Sequence, residues 1–165
     1  MNKIIDMTGR EQTFEGCMAC AIIKGEVELF GGVLYSSEYF DVMQDIELPI
    51  DGFIIIASKR HVEKLTELSD DERINLMEVT NKCLNILRKH NICDEYTLVL
   101  EEKAGYHFHL WLMPRAKWMI EKFGKVLKNM KQIQEYAIEN MKTPDNIAKI
   151  AETCKLLKEE LNKEK

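Results

Sequence analysis

Two histidines and a tryptophan alternate with apolar residues in the run from Tyr106 to Arg115. Successive side chains of a β-strand point to opposite faces, so His107, His109 and Trp111 are predicted to share one face while the apolar residues between them face a core. Pro114 cannot donate a sheet hydrogen bond, and we expect the strand to end near it. Imidazoles can act as nucleophiles, general bases or metal ligands, so this pair of histidines is the first candidate for chemistry.

The same stretch resembles the motif of the histidine triad (HIT) family, in which three histidines alternate with apolar residues and Pro-Arg often follows. His107 and His109 match the first two histidines, and Trp111 stands at the third position. Trp keeps one N–H donor but cannot shuttle a proton, so the third position departs from the family pattern.

Further upstream, Asp45-Ile46 resembles the family's ribose-binding Asp–aliphatic pair, although an Asp at this place could equally stabilise a turn. A β-branched apolar run from Phe53 to Ser58 follows, typical of a buried strand, and then a Lys-Arg-His turn that ends at His61. The loop Glu101–Gly105 before the histidines is shorter than in the family, and its two carboxylates would repel a polyphosphate unless Lys103 or a metal offsets their charge.

The resemblance implies a nucleotide-binding hydrolase or transferase that acts at the α-phosphate of a dinucleoside polyphosphate or nucleoside phosphoramidate. In this interpretation His109 attacks phosphorus and forms a nucleotidyl-histidine. His107 orients His109 or binds a metal, Trp111 contacts the base or phosphate, and the nucleotide is held by Asp45, Ile46, Trp111 and Lys103. The alternatives are a catalytically weakened HIT-fold nucleotide-binding or scaffolding protein, and a zinc-stabilised dimerisation module.

Cys17 and Cys20 form a Cys-x-x-Cys motif, which is compatible with zinc binding, thiol redox chemistry or two reduced thiols in a turn. By resemblance to bacterial HIT proteins, His61 and His107 would complete a zinc site with the two cysteines. Five cysteines scattered through the chain do not suggest a secreted disulfide framework.

Periodicity and resemblance together predict an α+β fold, with a HIT-like antiparallel sheet of about five strands and a long helix, in residues 1–116. The segment from residue 1 to residue 16 has no period and is expected to be a loosely held lead-in. Ser69 and Glu72 form a capping box at the start of the long helix, where Ile74, Met77, Cys83 and Leu87 recur at helical spacing.

Residues 117–165 are predicted to form a two-helix extension, with one helix from Trp118 to Met141 and a second one after Thr143-Pro144. Four lysines at steps of three residues are predicted to form a solvated face, namely Lys122, Lys125, Lys128 and Lys131. We expect the extension to pack on the domain or on a second subunit, and the protein to be a homodimer.

The net charge of the chain is −5, with −8 in residues 1–116 and +3 in the remainder. An acidic main domain argues against broad binding of duplex nucleic acid. No apolar run approaches the roughly 20 residues that span a bilayer. The N-terminal residues do not resemble a signal peptide, so we expect a cytoplasmic protein without a membrane partner.

Overall fold

The computed structural model describes residues 1–163 and contains one five-stranded antiparallel sheet, as predicted, together with a separate two-stranded hairpin. The strands of the main sheet are β3 (Tyr35–Ser36), β4 (Phe40–Gln44), β5 (Ile54–Ser58), β6 (Tyr96–Leu100) and β7 (His109–Pro114). Their order is β3-β4-β5-β7-β6, so the histidine-bearing strand β7 lies between the buried strand β5 and the edge strand β6. This register pairs Ala57 with His109 and Ile55 with Trp111.

The segment before the sheet is ordered, and the prediction of a loose lead-in is wrong. It forms the hairpin of β1 (Asn2–Ile5) and β2 (Glu11–Phe14), followed by the short helix α1 (Met18–Ile23). Ile4 of the hairpin is buried in a small cluster with Ala21 and Val27. This contact with residues later in the chain holds the hairpin, and no local period could announce it.

The long helix α2 (Asp70–Lys89) begins as predicted. Ser69 Oγ accepts a hydrogen bond from the Glu72 backbone at 3.2 Å, and the Glu72 carboxylate accepts one from the Ser69 backbone at 2.7 Å. Leu76, Val79, Cys83 and Leu87 are buried against the sheet. Ile74 and Met77, which we expected on the apolar face, are 59% and 58% exposed, so the helical period was predicted correctly but its buried face only in part.

The C-terminal extension contains three helices rather than two, namely α3 (Lys117–Phe123), α4 (Met130–Asn140) and α5 (Pro144–Leu161). Gly124 ends α3 with a φ of +74°, a conformation that glycine adopts without a Cβ penalty. Asn129, just before α4, donates to the Phe123 carbonyl at 2.7 Å and so satisfies one of the free carbonyls of α3. The predicted cap of α5 is present, because Thr143 Oγ1 accepts from the Asn146 backbone at 3.3 Å.

Helices cover both faces of the sheet. On one face α5 lies beside α2, and Ile150, Cys154 and Leu157 join the main core. The approach is so close that a Cβ on Gly31 would lie 2.9 Å from the Cys154 side chain. On the other face α3 and α4 pack through Met119 and other side chains against strand residues that include Phe53, Trp111 and Met113.

The α4 contact places part of the extension over the face that carries His109. The domain boundary at residues 116 and 117 itself stays a prediction. Within residues 1–163, no helix is long and apolar enough to cross a bilayer.

Candidate active site and metal centre

Four predicted metal ligands converge beneath the start of strand β7. Cys17 and Cys20 lie at the beginning of α1, His61 follows β5, and His107 precedes β7. Their ligand atoms all lie within 4.8 Å of one another. Cys20 Sγ is 3.4 Å from His61 Nδ1 and 3.6 Å from His107 Nδ1, and Cys17 Sγ is also 3.6 Å from His107 Nδ1. A tetrahedral site with bonds of about 2.3 Å to sulfur and about 2.0–2.1 Å to nitrogen would place these atoms about 3.6 Å apart, so the spacing fits zinc.

Hydrogen bonding prepares His107 for metal binding. The Ser58 carbonyl lies 2.5 Å from His107 Nε2, and a carbonyl can only accept, so Nε2 carries the proton and the Nδ1 lone pair points to the cysteines. Burial lowers the pKa of His107, opposed by this hydrogen bond, and the nearby His61 and His109 lower it further. The ring is therefore neutral at pH 7, the form that binds a metal.

Burial also raises the pKa of the Cys20 thiol, and the neighbouring Cys17 adds to the effect. Two thiolates side by side repel each other, so the fully ionised pair requires a cation between them. The donor set of two thiols and two imidazoles, with no carboxylate, favours zinc over magnesium or calcium. The arrangement can therefore hold a metal ion through four side chains.

His109 is held in one tautomer by the backbone of His107. Its Nδ1 lies 2.7 Å from the His107 carbonyl oxygen, so Nδ1–H donates, and in the neutral ring Nε2 is the nitrogen that carries the lone pair. A neutral imidazole with a free lone pair is competent as a nucleophile. The group that orients the His109 ring is the carbonyl of His107, while the imidazole of His107 belongs to the cluster of candidate metal ligands.

The predicted common face of the three residues holds only for His109 and Trp111. Strand β7 begins at His109, and the His107 ring is buried among the metal ligands instead of facing the pocket. The rings of His109 and Trp111 lie side by side with centroids 6.0 Å apart. Trp111 also packs edge-on against Phe53 at 5.4 Å, which limits its movement.

His109 and Trp111 line a pocket of about 440 Å³ between the sheet and α4. The end of strand β6 forms one side of this pocket, and the first turns of α4 form another. The remaining lining residues are Val99, Leu100 and Glu101 on the first side and Met130, Lys131 and Gln134 on the second. A second depression of about 490 Å³ lies between α3 and α4 at Trp118 and Tyr136. Its lining contains neither histidine nor cysteine, so it offers no comparable nucleophile.

Three residues predicted to contact the nucleotide, Asp45, Ile46 and Lys103, are not among the residues within 1–163 that line this pocket. Asp45 Oδ1 accepts hydrogen bonds from the backbones of Glu47 and Leu48 at 3.0 and 2.8 Å, which is the alternative turn-stabilising role. Burial raises the pKa of Asp45 to about 6, although these two hydrogen bonds oppose the shift.

Ile46 is buried in the cluster of the N-terminal hairpin, and Lys103 lies over the ring of Tyr106, 4.6 Å from its centroid. The roles of these three residues in nucleotide binding stay predictions.

Sequence reasoning missed the contribution of α4. Met130, Lys131 and Gln134 enter the pocket because α4 folds back over the sheet, whereas the lysine spacing indicated only a solvated face. Among the four lysines of that series, Lys131 alone lines the histidine pocket, and Lys122 lies over Tyr136, 4.5 Å from its ring centroid. No local signal distinguishes them, since the difference arises from how the helix packs.

Comparison with known proteins agrees with the fold. The sequence model of the HIT domain matches residues 27–163, a range that begins after the two cysteines. An uncharacterized HIT-like protein of Methanocaldococcus jannaschii is 28% identical over 116 residues, which cover 67% of this chain and 88% of that protein.

Among solved structures, a zinc-bound histidine triad family protein from Mycobacterium smegmatis superposes with a TM-score of 0.61 at 20% identity, covering 88% of this chain and 92% of that one. A Hit-like protein from Bartonella henselae, described as involved in cell-cycle regulation, gives a TM-score of 0.62 at 17% identity, covering 91% and 100%. At these identities the two structures establish the fold. With the family match over most of its length, the chain belongs to the HIT domain family.

Proposed function

We propose that this protein is a nucleotide-binding hydrolase or transferase that acts at the α-phosphate of a dinucleoside polyphosphate or nucleoside phosphoramidate. The observation that carries the proposal is the fixed orientation of the His109 ring at the edge of a pocket. Its Nδ1–H is held by the His107 carbonyl at 2.7 Å, and the ring lines a pocket of about 440 Å³. A neutral imidazole fixed beside a cavity is arranged for attack on an electrophile.

In the proposed reaction the Nε2 lone pair of His109 forms a bond to the α-phosphorus while the bond to the leaving group breaks. The imidazole becomes positively charged, and the hydrogen bond from Nδ1–H to the His107 carbonyl stabilises that charge. Water then attacks phosphorus and gives up a proton to solvent, the P–N bond breaks, and its electron pair returns to Nε2. The protein thus divides one displacement into two steps at the same nitrogen.

We further propose that Cys17, Cys20, His61 and His107 hold a zinc ion. The S···N spacings of 3.4–3.6 Å support this, and a zinc-bound member of the same fold is known from M. smegmatis. When bound, zinc would cross-link the start of α1 to both histidine loops. Four protein ligands leave no open coordination position, so the role is structural. Through His107 the site would fix the carbonyl that orients His109.

Trapping of the intermediate tests the catalytic proposal. The protein is incubated with adenine-labelled diadenosine tetraphosphate, quenched at neutral to alkaline pH, and analysed by intact mass and peptide mapping. We expect one adenylyl group on His109 that is released in acid, as a phosphoramidate bond requires. His109→Ala should carry no label. His90→Gln serves as the matched control, because His90 caps the end of α2 and lies outside the pocket.

The alternative is a HIT-fold protein that binds nucleotides without turnover. Trp111 favours it, because this residue at the third motif position cannot exchange a proton. The two candidates differ in one measurement. Tight binding of diadenosine tetraphosphate without adduct or product supports the binding protein, whereas label on a residue other than His109 contradicts the proposed nucleophile.

We also propose that the protein is a homodimer. Strand β6 lies at the edge of the main sheet, where its free backbone groups can pair with another strand, and Leu98 on it is 46% exposed. Sedimentation equilibrium of the wild type and of Leu98→Lys tests this, with a dimer expected for the wild type and weaker association for the variant. A wild type that is monomeric at all concentrations would contradict it.

A further inference from the structure

The residue at the third motif position restricts which leaving groups the pocket can serve. Trp111 has one N–H donor and no proton that it can transfer at neutral pH. An amine that leaves phosphorus must be protonated as the P–N bond breaks, because an amide anion is too basic to depart. A phosphate can leave as an anion and needs only hydrogen bonds and positive charge. The chemistry beside His109 is therefore suited to an anionic leaving group.

The pocket contains one cation among its described lining residues, and it comes from α4. Lys131 lies in the first turn of that helix, and Gln134, one turn further along, faces the same pocket. Lys131 Nζ is 3.7 Å from Glu135 Oε1, a long ion pair in which the lysine side chain is 85% exposed. Such exposed ion pairs contribute about 0–1 kcal/mol to the stability of a folded protein, so the Lys131 side chain can turn towards an anion with little loss of stability.

Glu101 provides the opposing charge. It lines the same pocket at the end of β6, and its carboxylate alone would repel a polyphosphate. Lys131 balances this charge, and Gln134 adds amide N–H donors that an anionic phosphate oxygen can accept. The pocket therefore combines a nucleophile, one cation and neutral hydrogen-bond donors. Helix α4 of the C-terminal extension supplies the cation and the neutral donors.

We propose, as an extension of the hydrolase function above, that Lys131 and Gln134 bind the leaving phosphate and that the site favours polyphosphates over phosphoramidates. His109 Nε2 forms the bond to the α-phosphorus, and the P–O bond to the next phosphate breaks with its electron pair on that oxygen. The departing phosphate is stabilised by the Lys131 ammonium and the Gln134 amide. Water then forms the new P–O bond, its proton passes to solvent, and the P–N electron pair returns to His109.

The test compares diadenosine tetraphosphate with adenosine 5′-phosphoramidate as substrates. We expect the wild type to have the higher kcat/KM for the tetraphosphate. Lys131→Ala should raise KM for the tetraphosphate about three- to tenfold, the effect of one charge-assisted hydrogen bond in a screened site. The change for the phosphoramidate should be smaller. Lys131→Glu should have a larger effect, and Lys128→Glu is the matched control, because it makes the same charge change at an exposed position outside the pocket.

A second variant tests the leaving-group argument directly. Trp111→His restores a group that can donate a proton, so it should raise turnover of the phosphoramidate more than that of the tetraphosphate. The inference is overturned if the wild type prefers the phosphoramidate, or if Lys131→Glu and Lys128→Glu behave alike in an active enzyme. Either result leaves the His109 adduct, and with it the proposed function, intact.

If the wild type forms no adduct and turns over neither substrate, the hydrolase proposal fails and equilibrium dialysis with labelled diadenosine tetraphosphate decides the role of Lys131. A Kd that rises in Lys131→Glu but not in Lys128→Glu supports phosphate binding by α4. Equal Kd values in the two variants, or no binding to the wild type, overturn it.

Discussion

Replacing Cys20 with serine should remove the zinc ion that we propose and lower the melting temperature markedly. Cys20 Sγ contacts both histidines, at 3.4 Å from His61 Nδ1 and 3.6 Å from His107 Nδ1, so its loss breaks two of the three short S···N contacts. A ligand present at about 1,000 times its Kd stabilises the folded state by about 4.1 kcal/mol. For a chain of this size each kcal/mol shifts the melting temperature by about 2–4 °C, so we expect a loss of about 8–16 °C.

The assay is calorimetry combined with elemental analysis, on protein purified without chelators. The wild type should contain close to one zinc per chain, and a strong chelator should reduce its melting temperature to that of Cys20→Ser. Cys93→Ser is the matched control, because Cys93 is also half-buried but lies outside the cluster, where its thiol donates to the Glu95 carbonyl at 3.2 Å. A wild type without zinc, or a Cys20→Ser variant that melts with the wild type, would refute the reasoning.

Three further predictions concern the histidines, the start of α2 and the packing of α4. His109→Ala should abolish the adenylyl adduct with unchanged zinc content, whereas His107→Ala should lower zinc content and melting temperature first; equal zinc loss in both would contradict the division of roles. Arg60 holds the pKa of Glu72 at about 2 through two hydrogen bonds of 2.6 and 2.7 Å. In the unfolded chain the Glu72 carboxylate takes up its proton at a higher pH, near 4.3, so about 1–3 kcal/mol of stability should be lost as the pH falls from 5 to 2. Urea titrations at several pH values measure this loss, and Glu72→Gln should make the free energy of unfolding less dependent on pH. Ile133→Ala, in the fully buried seam of α4, should destabilise by about 2–5 kcal/mol and raise KM, and an unchanged KM would argue against a role of α4 in the pocket.

Local chemistry was sufficient to predict several elements from the sequence. The capping box at Ser69 predicted the start of α2, and Thr143-Pro144 predicted the start of α5. Strand β7 ends at Pro114, as the missing N–H of that proline predicted. Each signal acts within a few residues, through a cap, a proline or an alternating pattern, and so depends little on the rest of the fold.

The candidate site was predictable only in part. Residue types and the family resemblance selected the cysteines and histidines, and the fold brings all four predicted metal ligands within 4.8 Å. Whether the His107 ring faces the pocket or the other candidate metal ligands was not predictable, because its direction depends on where strand β7 begins. Periodicity assumed a strand through His107, whereas the hydrogen bond to the Ser58 carbonyl at 2.5 Å holds that ring among the candidate metal ligands.

The sequence by itself determined which side chains are candidates for chemistry: two cysteines and two histidines as metal ligands, which the family resemblance selected, and one histidine beside a tryptophan. Tertiary structure decided what surrounds them. The N-terminal hairpin is ordered by contacts to Ala21 and Val27, and Gly124 divides a helix that periodicity predicted to be continuous. The fold of α4 onto the sheet brings Lys131 to the His109 pocket, more than twenty positions away in sequence. The physical reason is that periodicity reports which face of a helix is apolar, whereas the surface that this face covers depends on contacts between distant parts of the chain.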